Sequence, residues 1–421
     1  MYQEIAQGLL HFISKSPTAF HAAEGIKKAL LYAGFEELPE DTSWTVKKGG
    51  RYVVTRNGSA LMAFTIPENG ADKFHIFASH SDSPTFKIKE HPEMTEGPYV
   101  KLNVEGYGGM IMSTWLDRPL SVAGRIICKE EGKLVTHLVA VDKDLLVIPS
   151  LAIHMNRAVN EGYAWNIQKD LLPLYGMSGA KGTFMKTVAE AAGVDEKTIL
   201  GHDLFLYSRI PGSVWGAEKE FISSGRLDDL QCAFGSFRGF YEGKKENSIA
   251  IYALFDNEEV GSTTKQGAAS TFLYNVITRL TAALGLSYDD TMAMLARSFM
   301  ISGDNGHALH PNYPEVTDPT NRPVLNGGIV IKFNSRQKYC TDGYSAAFFR
   351  SLCQDANVPT QDFVNRSNIL GGSTLGNISN TQVALPTVDI GLPQLAMHSS
   401  WETAGVKDTE YLVKAAARFF D

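Results

Sequence analysis

The chain has 421 residues, 44% of them hydrophobic and 20% charged, the composition of a globular protein long enough for more than one domain. A formal net charge of -7, without any dense cluster of arginine and lysine, argues against nucleic acid as a partner. No segment approaches the roughly 18 consecutive apolar residues of a membrane span, and the scattered Cys128, Cys232, Cys340 and Cys353 exclude a disulfide scaffold and fit a reducing cytoplasm.

In chain order, the opening stretch MYQEIAQGLLHFISKSPTAFHAAEGIKKALLYAGF carries apolar residues at helical spacing, so it predicts an amphipathic helix rather than a leader. Apolar, β-rich runs then end repeatedly in polar clusters: FHIFAS before HSDSP, SIAIYALF before DNEE, SFMIS before GDNGH, GIVIKF before NSRQ, and TVDIG before LPQLAMHSS. Helical stretches such as RLDDLQCAFGSFRGFYEGK and TFLYNVITRLTAALG lie between them, and ETAGVKDTEYLVKAAARFF reads as a C-terminal helix. This alternation predicts an α/β domain with a largely parallel central sheet, in which ligands gather beyond the carboxyl ends of the strands. Residues 93–223 read differently: YVKLNVEGYGGMIM, SVAGRIICKE, KLVTHLVAV and LLVIPSLAI follow one another as short strands with Gly-rich or charged turns. They predict a β-rich insertion between two halves, 1–92 and 224–421, of the α/β domain.

The polar clusters suggest one site. His80 follows a strand, and Asp82 is close enough in sequence to hold the ring nitrogen that faces away from a metal. Asp228 and Asp229 open a helix, where acids can simply complement the dipole, but a carboxylate there could also bridge two cations. Asp256, Glu258 and Glu259 crowd negative charge against the end of a buried strand, where charge is expensive without compensation. Neighbouring residues project in different directions, so Glu259 can ligate while Glu258 accepts a proton from a metal-activated water and returns it to a leaving amine. Asp304 follows a further strand, with His307 and His310 expected to bond within their own loop. His398 comes shortly after the last strand. Each cluster alone has a bland reading as a turn, a cap or a solvated pair. Together His80, Asp228, Glu259, Asp304 and His398, with Glu258 beside them, suit a pair of zinc ions roughly 3.5–4 Å apart.

SPTAFHAA, ASHSDSP, LAIHMNR, SGRLDDL, FDNEEVGS, GDNGHALHPNY and QLAMHSSWE, in that order, make the chain resemble the aspartyl aminopeptidase family of two-zinc exopeptidases nearly end to end. The resemblance implies a phosphorylase/hydrolase-like catalytic domain interrupted by a β-rich dimerisation domain, and assembly into a dodecamer built from dimers. It implies His80, Asp228, Glu259, Asp304 and His398 as zinc ligands with Asp228 bridging, Asp82 orienting His80, and Glu258 as catalytic base. His154 matches a histidine lent to a neighbouring subunit's site to contact substrate, although the residue alone also permits a metal ligand or a structural histidine. Lys332 matches a lysine near the substrate, where it could pair with an acidic side chain or polarise the scissile carbonyl; its bland reading is a lysine snorkelling to solvent. Preference for N-terminal Asp or Glu rests on the resemblance alone. Asp229 departs from the Asn common in the family and could compete as a ligand. GGSTLGN, residues 371–377, is glycine-rich but lacks the ending of a P-loop and reads as a turn lining the substrate.

The leading expectation is therefore a zinc metalloaminopeptidase acting on peptides. Two other readings stand beside it: a bimetal amidohydrolase acting on N-acyl amino acids, and a non-catalytic, metal-stabilised assembly protein. The uncoordinated Glu258 counts against the last, because a purely structural zinc site has no use for a base.

Overall fold

The computed structural model describes residues 2–421. Nine strands form the largest sheet, in the order Glu36–Glu37, Arg51–Arg56, Ala60–Thr65, Ile249–Phe255, Phe74–His80, Phe299–Gly303, Thr387–Gly391, Ile329–Phe333 and Thr360–Val364. The four from Ile249–Phe255 to Thr387–Gly391 are mutually parallel, and antiparallel pairings lie to either side of them. Every residue of Ile249–Phe255 is buried. The pleat explains this. Ala250, Tyr252 and Leu254 face a core built with Cys232, Phe240 and Leu412, whereas Ile249, Ile251, Ala253 and Phe255 face another built with Phe272, Val276 and Leu280. A strand covered on both faces needs a continuous apolar run, which is how SIAIYALF reads.

Helices Leu227–Glu242 and Asp408–Phe420 cover the first face. Their approach is close because Gly235 and Gly239 lack side chains: a Cβ at Gly235 would stand 2.7 Å from Leu412 Cδ2. The amino-terminal stretch is not one helix but two, Tyr2–Lys15 and Ala19–Tyr32. Pro17 falls between them, and its missing N–H and its restriction of Ser16 end the first. The predicted C-terminal helix is also shorter than its pattern. Glu402–Gly405 is a strand, and the helix begins only at Asp408.

The chain divides into two units, the first comprising the residues up to Asp82 with Gly212–Met397 and Glu402–Asp421, the second Ser83–Pro211 with His398–Trp401. The second contains a six-stranded antiparallel sheet in the order Lys133–Ala140, Leu120–Glu130, Ile199–Ser208, Thr85–Glu96, Tyr99–Tyr107 and Leu174–Met177. It has its own core around Phe86, Trp115, Val122 and Phe184. Its bounds differ from the 93–223 read from the sequence, and the pairing shows why. Thr85–Glu96 already belongs to this sheet, whereas Ser213–Trp215 and Phe221–Ser224 join Glu402–Gly405 in a five-stranded sheet of the first unit. LLVIPSLAI contributes only isolated bridges at Leu146 and Val147. Among the described residues no helix is long and apolar enough to cross a membrane, and all four cysteines are free thiols.

His75, on the strand leading to His80, stacks on Phe419 with ring centroids 4.6 Å apart and places Nδ1 2.7 Å from the Phe419 carbonyl oxygen. Burial, helped by the charge of Lys73 and opposed by that carbonyl bond, lowers its pKa from 6.5 to about 4. The folded chain binds this proton less readily than the unfolded chain, so the contribution of His75 to stability is whole above the unfolded value near 6.5 and is lost as pH falls towards about 4. The stability difference between the wild type and His75→Gln, measured by denaturant unfolding across that range, is expected to shrink towards the acid end. A gap that stays constant with pH would show that His75 does not titrate in this way.

Candidate active site

Three adjacent parallel strands bring the sequence clusters together. Phe255 pairs with His80, and Ser302 pairs with Ala78. Neighbouring strands lie about 4.8 Å apart, so Asp256–Glu259, His80–Asp82 and Asp304 emerge side by side at the carboxyl edge. Two groups of ligand atoms result, each with all members within 4.8 Å of one another: His80, Asp228, Asp229 and Asp304, and His80, Glu258 and Glu259.

His80 is the pivot of both groups. It is 1% exposed, with Nδ1 3.1 Å from the Asp82 carbonyl oxygen and 3.3 Å from Asp82 Oδ1. A carbonyl can only accept, so in the neutral ring Nδ1 carries the hydrogen and Nε2 presents its lone pair. That nitrogen faces Asp228 Oδ1 at 3.6 Å and Asp304 Oδ1 at 3.8 Å. Both distances are too long for a good hydrogen bond. They are close to the separation, about 3.4 Å, of two atoms sharing one tetrahedral zinc at roughly 2.0–2.1 Å.

A second set of acids holds the backbone. The carboxylate of Asp82 accepts from the amides of both Glu258 and Glu259 at 3.1 Å, so it positions the doublet as well as His80. The chain turns towards it at Asn257, whose φ of +61° is a left-handed conformation that Asn tolerates; its side-chain oxygen accepts from Thr264 and Gln266. Asp229 uses Oδ2 to accept the His80 amide and Oδ1 to accept the Asn305 amide, both at 3.2 Å. With both oxygens so engaged it acts as scaffold, although it lies within the ligand group. Asp228 and Asp229 themselves have non-helical backbone angles, so the regular helix begins after them. Glu402 accepts the Asp228 amide at 3.0 Å. Asn305 ties the floor together by donating to Leu227 O, Gln231 Oε1 and Gln394 Oε1. The sequence reading missed Glu402, Asn305 and Asn257 as site residues, although each lies next to or within a cluster it had singled out.

The concentration of acid shifts the proton affinity of several of its members. Burial, followed by the charges of Asp304, Asp82 and Asp228, raises Glu258 to about 8 against the pull of His80. Burial and the neighbouring Asp228 hold Glu259 well above the usual carboxylate range, and burial likewise raises Asp229. Asp256 is raised to about 7 by burial and then by Asp82. Burial opposes the charged form of His80, but Asp229 and the carboxylates around the ring outweigh it and lift the imidazole well above 6.5. Buried imidazole and carboxylate donors under mutual repulsion fit a divalent cation of the zinc type.

Lys332 does not snorkel to solvent. It is 3% exposed, with Nζ 2.9 Å from Asn305 O and 3.6 Å from Asp304 Oδ2. Burial alone would weaken its charge, but Asp304, Tyr339 and Asp389 reinforce it. His310 bonds within its loop, accepting from the Asn312 amide at 3.2 Å. His307, His310, Arg366, Gly371 and Gly372 line a cavity of about 290 Å³ that also reaches Met397. His398 falls in the second unit, where Nδ1 lies 2.8 Å from Gly109 O, leaving Nε2 of the neutral ring as its lone-pair nitrogen. His154 is exposed on a turn of the second unit, beside Leu151, Ile153 and Met155, which are 58%, 48% and 77% exposed.

The family described as aminopeptidase I zinc metalloprotease (M18) matches residues 12–420. The chain belongs to the M18 aminopeptidase family. It is 48% identical to the probable M18 family aminopeptidase 2 of Clostridium novyi (strain NT) over 427 residues, which covers 99% of each chain. Among solved structures, a chain from the complex of Ape4 and Nbr1 superposes with a TM-score of 0.97 at 34% identity, covering 100% of this chain and 86% of the other. A chain of the S. cerevisiae mApe1 dodecamer does so with a TM-score of 0.87 at 28% identity, covering 100% and 97%. This M18 protein is thus a zinc metalloaminopeptidase, and its buried His and Asp cluster is able to hold metal.

In this M18 chain Asp82 holds both the His80 ring and two backbone amides. Asp82→Ala is expected to weaken zinc binding about 10–100-fold, as read by titration against a competing chelator. Wild-type affinity in that variant would remove Asp82 from the metal site.

Proposed function

We propose that this M18 aminopeptidase removes an N-terminal Asp or Glu from peptides, using two zinc ions held by His80, Asp228, Glu259, Asp304 and His398. The observation that carries the metal assignment is the anchored His80 ring, which aims Nε2 at two carboxylates from distances suited to a shared ion. Two ions rather than one are supported by the donor supply, since a tetrahedral zinc takes four ligands and Asp228 can bridge with its two oxygens. His398 enters on the sequence resemblance, with its ring nitrogen fixed by Gly109 O.

Bound zinc supplies Lewis acidity at the scissile carbonyl and lowers the pKa of water to about 7. Glu258, fixed through its amide by Asp82, takes the proton from the attacking water and delivers it to the leaving amine. The surrounding carboxylates attract the positively charged amino terminus of the peptide, and blocked amines forfeit that attraction. Lys332 places a buried positive charge beside Asp304, which favours an acidic residue at the cleaved position. His154 is proposed to reach a neighbouring subunit's substrate from its exposed turn. The β-rich second unit is proposed to build dimers, and the dimers a dodecamer, like the S. cerevisiae mApe1 relative, in a reducing cytoplasm.

Glu258→Gln is expected to keep its zinc while losing about 10²–10⁴-fold in turnover. Within a set of Asp-, Glu-, Leu- and Lys-initiated dipeptides and their N-acetylated forms, the free acidic ones are expected to be cleaved fastest. Unimpaired turnover in Glu258→Gln would overturn the base assignment, and faster cleavage of the acetylated set would turn the reading towards an N-acyl amidohydrolase. Mass measurement of the purified protein is expected to give twelve chains; a particle that stops at two would refute the larger assembly.

A further inference from the structure

We propose that Cys128, Glu130 and His137 form a second metal site, sharing no residue with the acid cluster, that takes a single zinc-like divalent cation. The three come together through strand geometry. Cys128 and Glu130 stand two residues apart on Leu120–Glu130 and so project from one face of the sheet. His137, on Lys133–Ala140, pairs directly with Ile126, two residues before Cys128. Directly opposed residues of an antiparallel pair project to the same side, so the imidazole joins the thiol and the carboxylate on that face. The ligand atoms of all three lie within 4.8 Å of one another, and His137 Nε2 is 2.7 Å from Glu130 Oε1.

The donor chemistry selects the ion. Thiolate, imidazole and carboxylate are the three donor types of zinc sites, whereas magnesium and calcium take oxygen ligands. A direct bond between His137 and Glu130 accounts for those two residues without a metal; the thiol at the third corner makes the arrangement a binding site. Cys128 is fully buried, while the side chains of His137 and Glu130 are 28% and 39% exposed. An ion therefore enters from the solvent side past His137 and Glu130, the Cys128 thiol gives its proton to solvent, and water takes the fourth position. Lys133–Ala140 is the terminal strand of the six-stranded sheet. A cation held by both strands of this hairpin fixes the register of that edge, where pairing on only one side leaves the strand least restrained.

Cobalt(II) tests the proposal in the full-length protein, because no cysteine is among the ligands assigned to the catalytic centre and a thiolate-to-cobalt charge-transfer band reports only a thiolate site. Cobalt-loaded wild type is expected to show the band, and Cys232→Ser to retain it. Cys128→Ser is expected to lose the band and one zinc per chain with peptidase turnover unchanged. His137→Gln keeps the thiol and is expected to bind cobalt at this site at least about tenfold more weakly; it decides the matter if Cys128→Ser fails to fold. No band in cobalt-saturated wild type, a band that persists in Cys128→Ser, or unaltered cobalt affinity in His137→Gln would each overturn the site.

Discussion

Buried like charge is the constraint around which the first unit is arranged. The parallel strands that end at Phe255, His80 and Gly303 are apolar because both faces of the sheet are covered, and the chain can turn polar only where those strands stop. Carboxylates from separate parts of the sequence therefore meet at one edge, partly or wholly out of water, where burial and then the neighbouring acids raise the proton affinity of Glu258 and Glu259. A cation resolves the conflict, and the same conflict gives the site its affinity for one.

The acids divide by what their oxygens hold. Asp82, Asp229 and Glu402 accept backbone amides, which fixes the course of the chain at Glu258–Glu259, at His80 with Asn305, and at Asp228. Asp228 and Asp304 instead turn an oxygen towards Nε2 of the His80 ring, the nitrogen that Asp82 does not hold. One residue type thus does two jobs, since an ionised carboxylate is both a strong acceptor for N–H groups and a hard donor for a metal.

That division is what a one-dimensional reading cannot resolve. The strand runs and the acidic clusters at their ends were legible, because burial on both faces leaves a continuous apolar signature and the switch to Asp, Glu and His is abrupt. Asp82 was legible as a partner of His80, but not as the acceptor for Glu258 and Glu259, because that bond spans 176 positions and depends on strand register. Glu402 looked like the start of a helix; it lies in a short strand whose pairing with Phe221–Ser224 no local pattern announces. The break at Pro17 was visible in principle, yet the helical spacing on either side of it masked the interruption. For Lys332 the structure removes only the bland alternative of a side chain reaching solvent. A lysine at the end of an apolar run normally finds water, and its burial here is explained by the Asn305 carbonyl and the acids around it, Asp304 first.

The bonds from Asp82, Asp229 and Glu402 run to main-chain amides and need no ion to form. The pocket's stiffness therefore belongs to the polypeptide, not to its cargo. A change at any of these three acids therefore acts first on the backbone that carries the neighbouring donor side chains, and on the donors only through it.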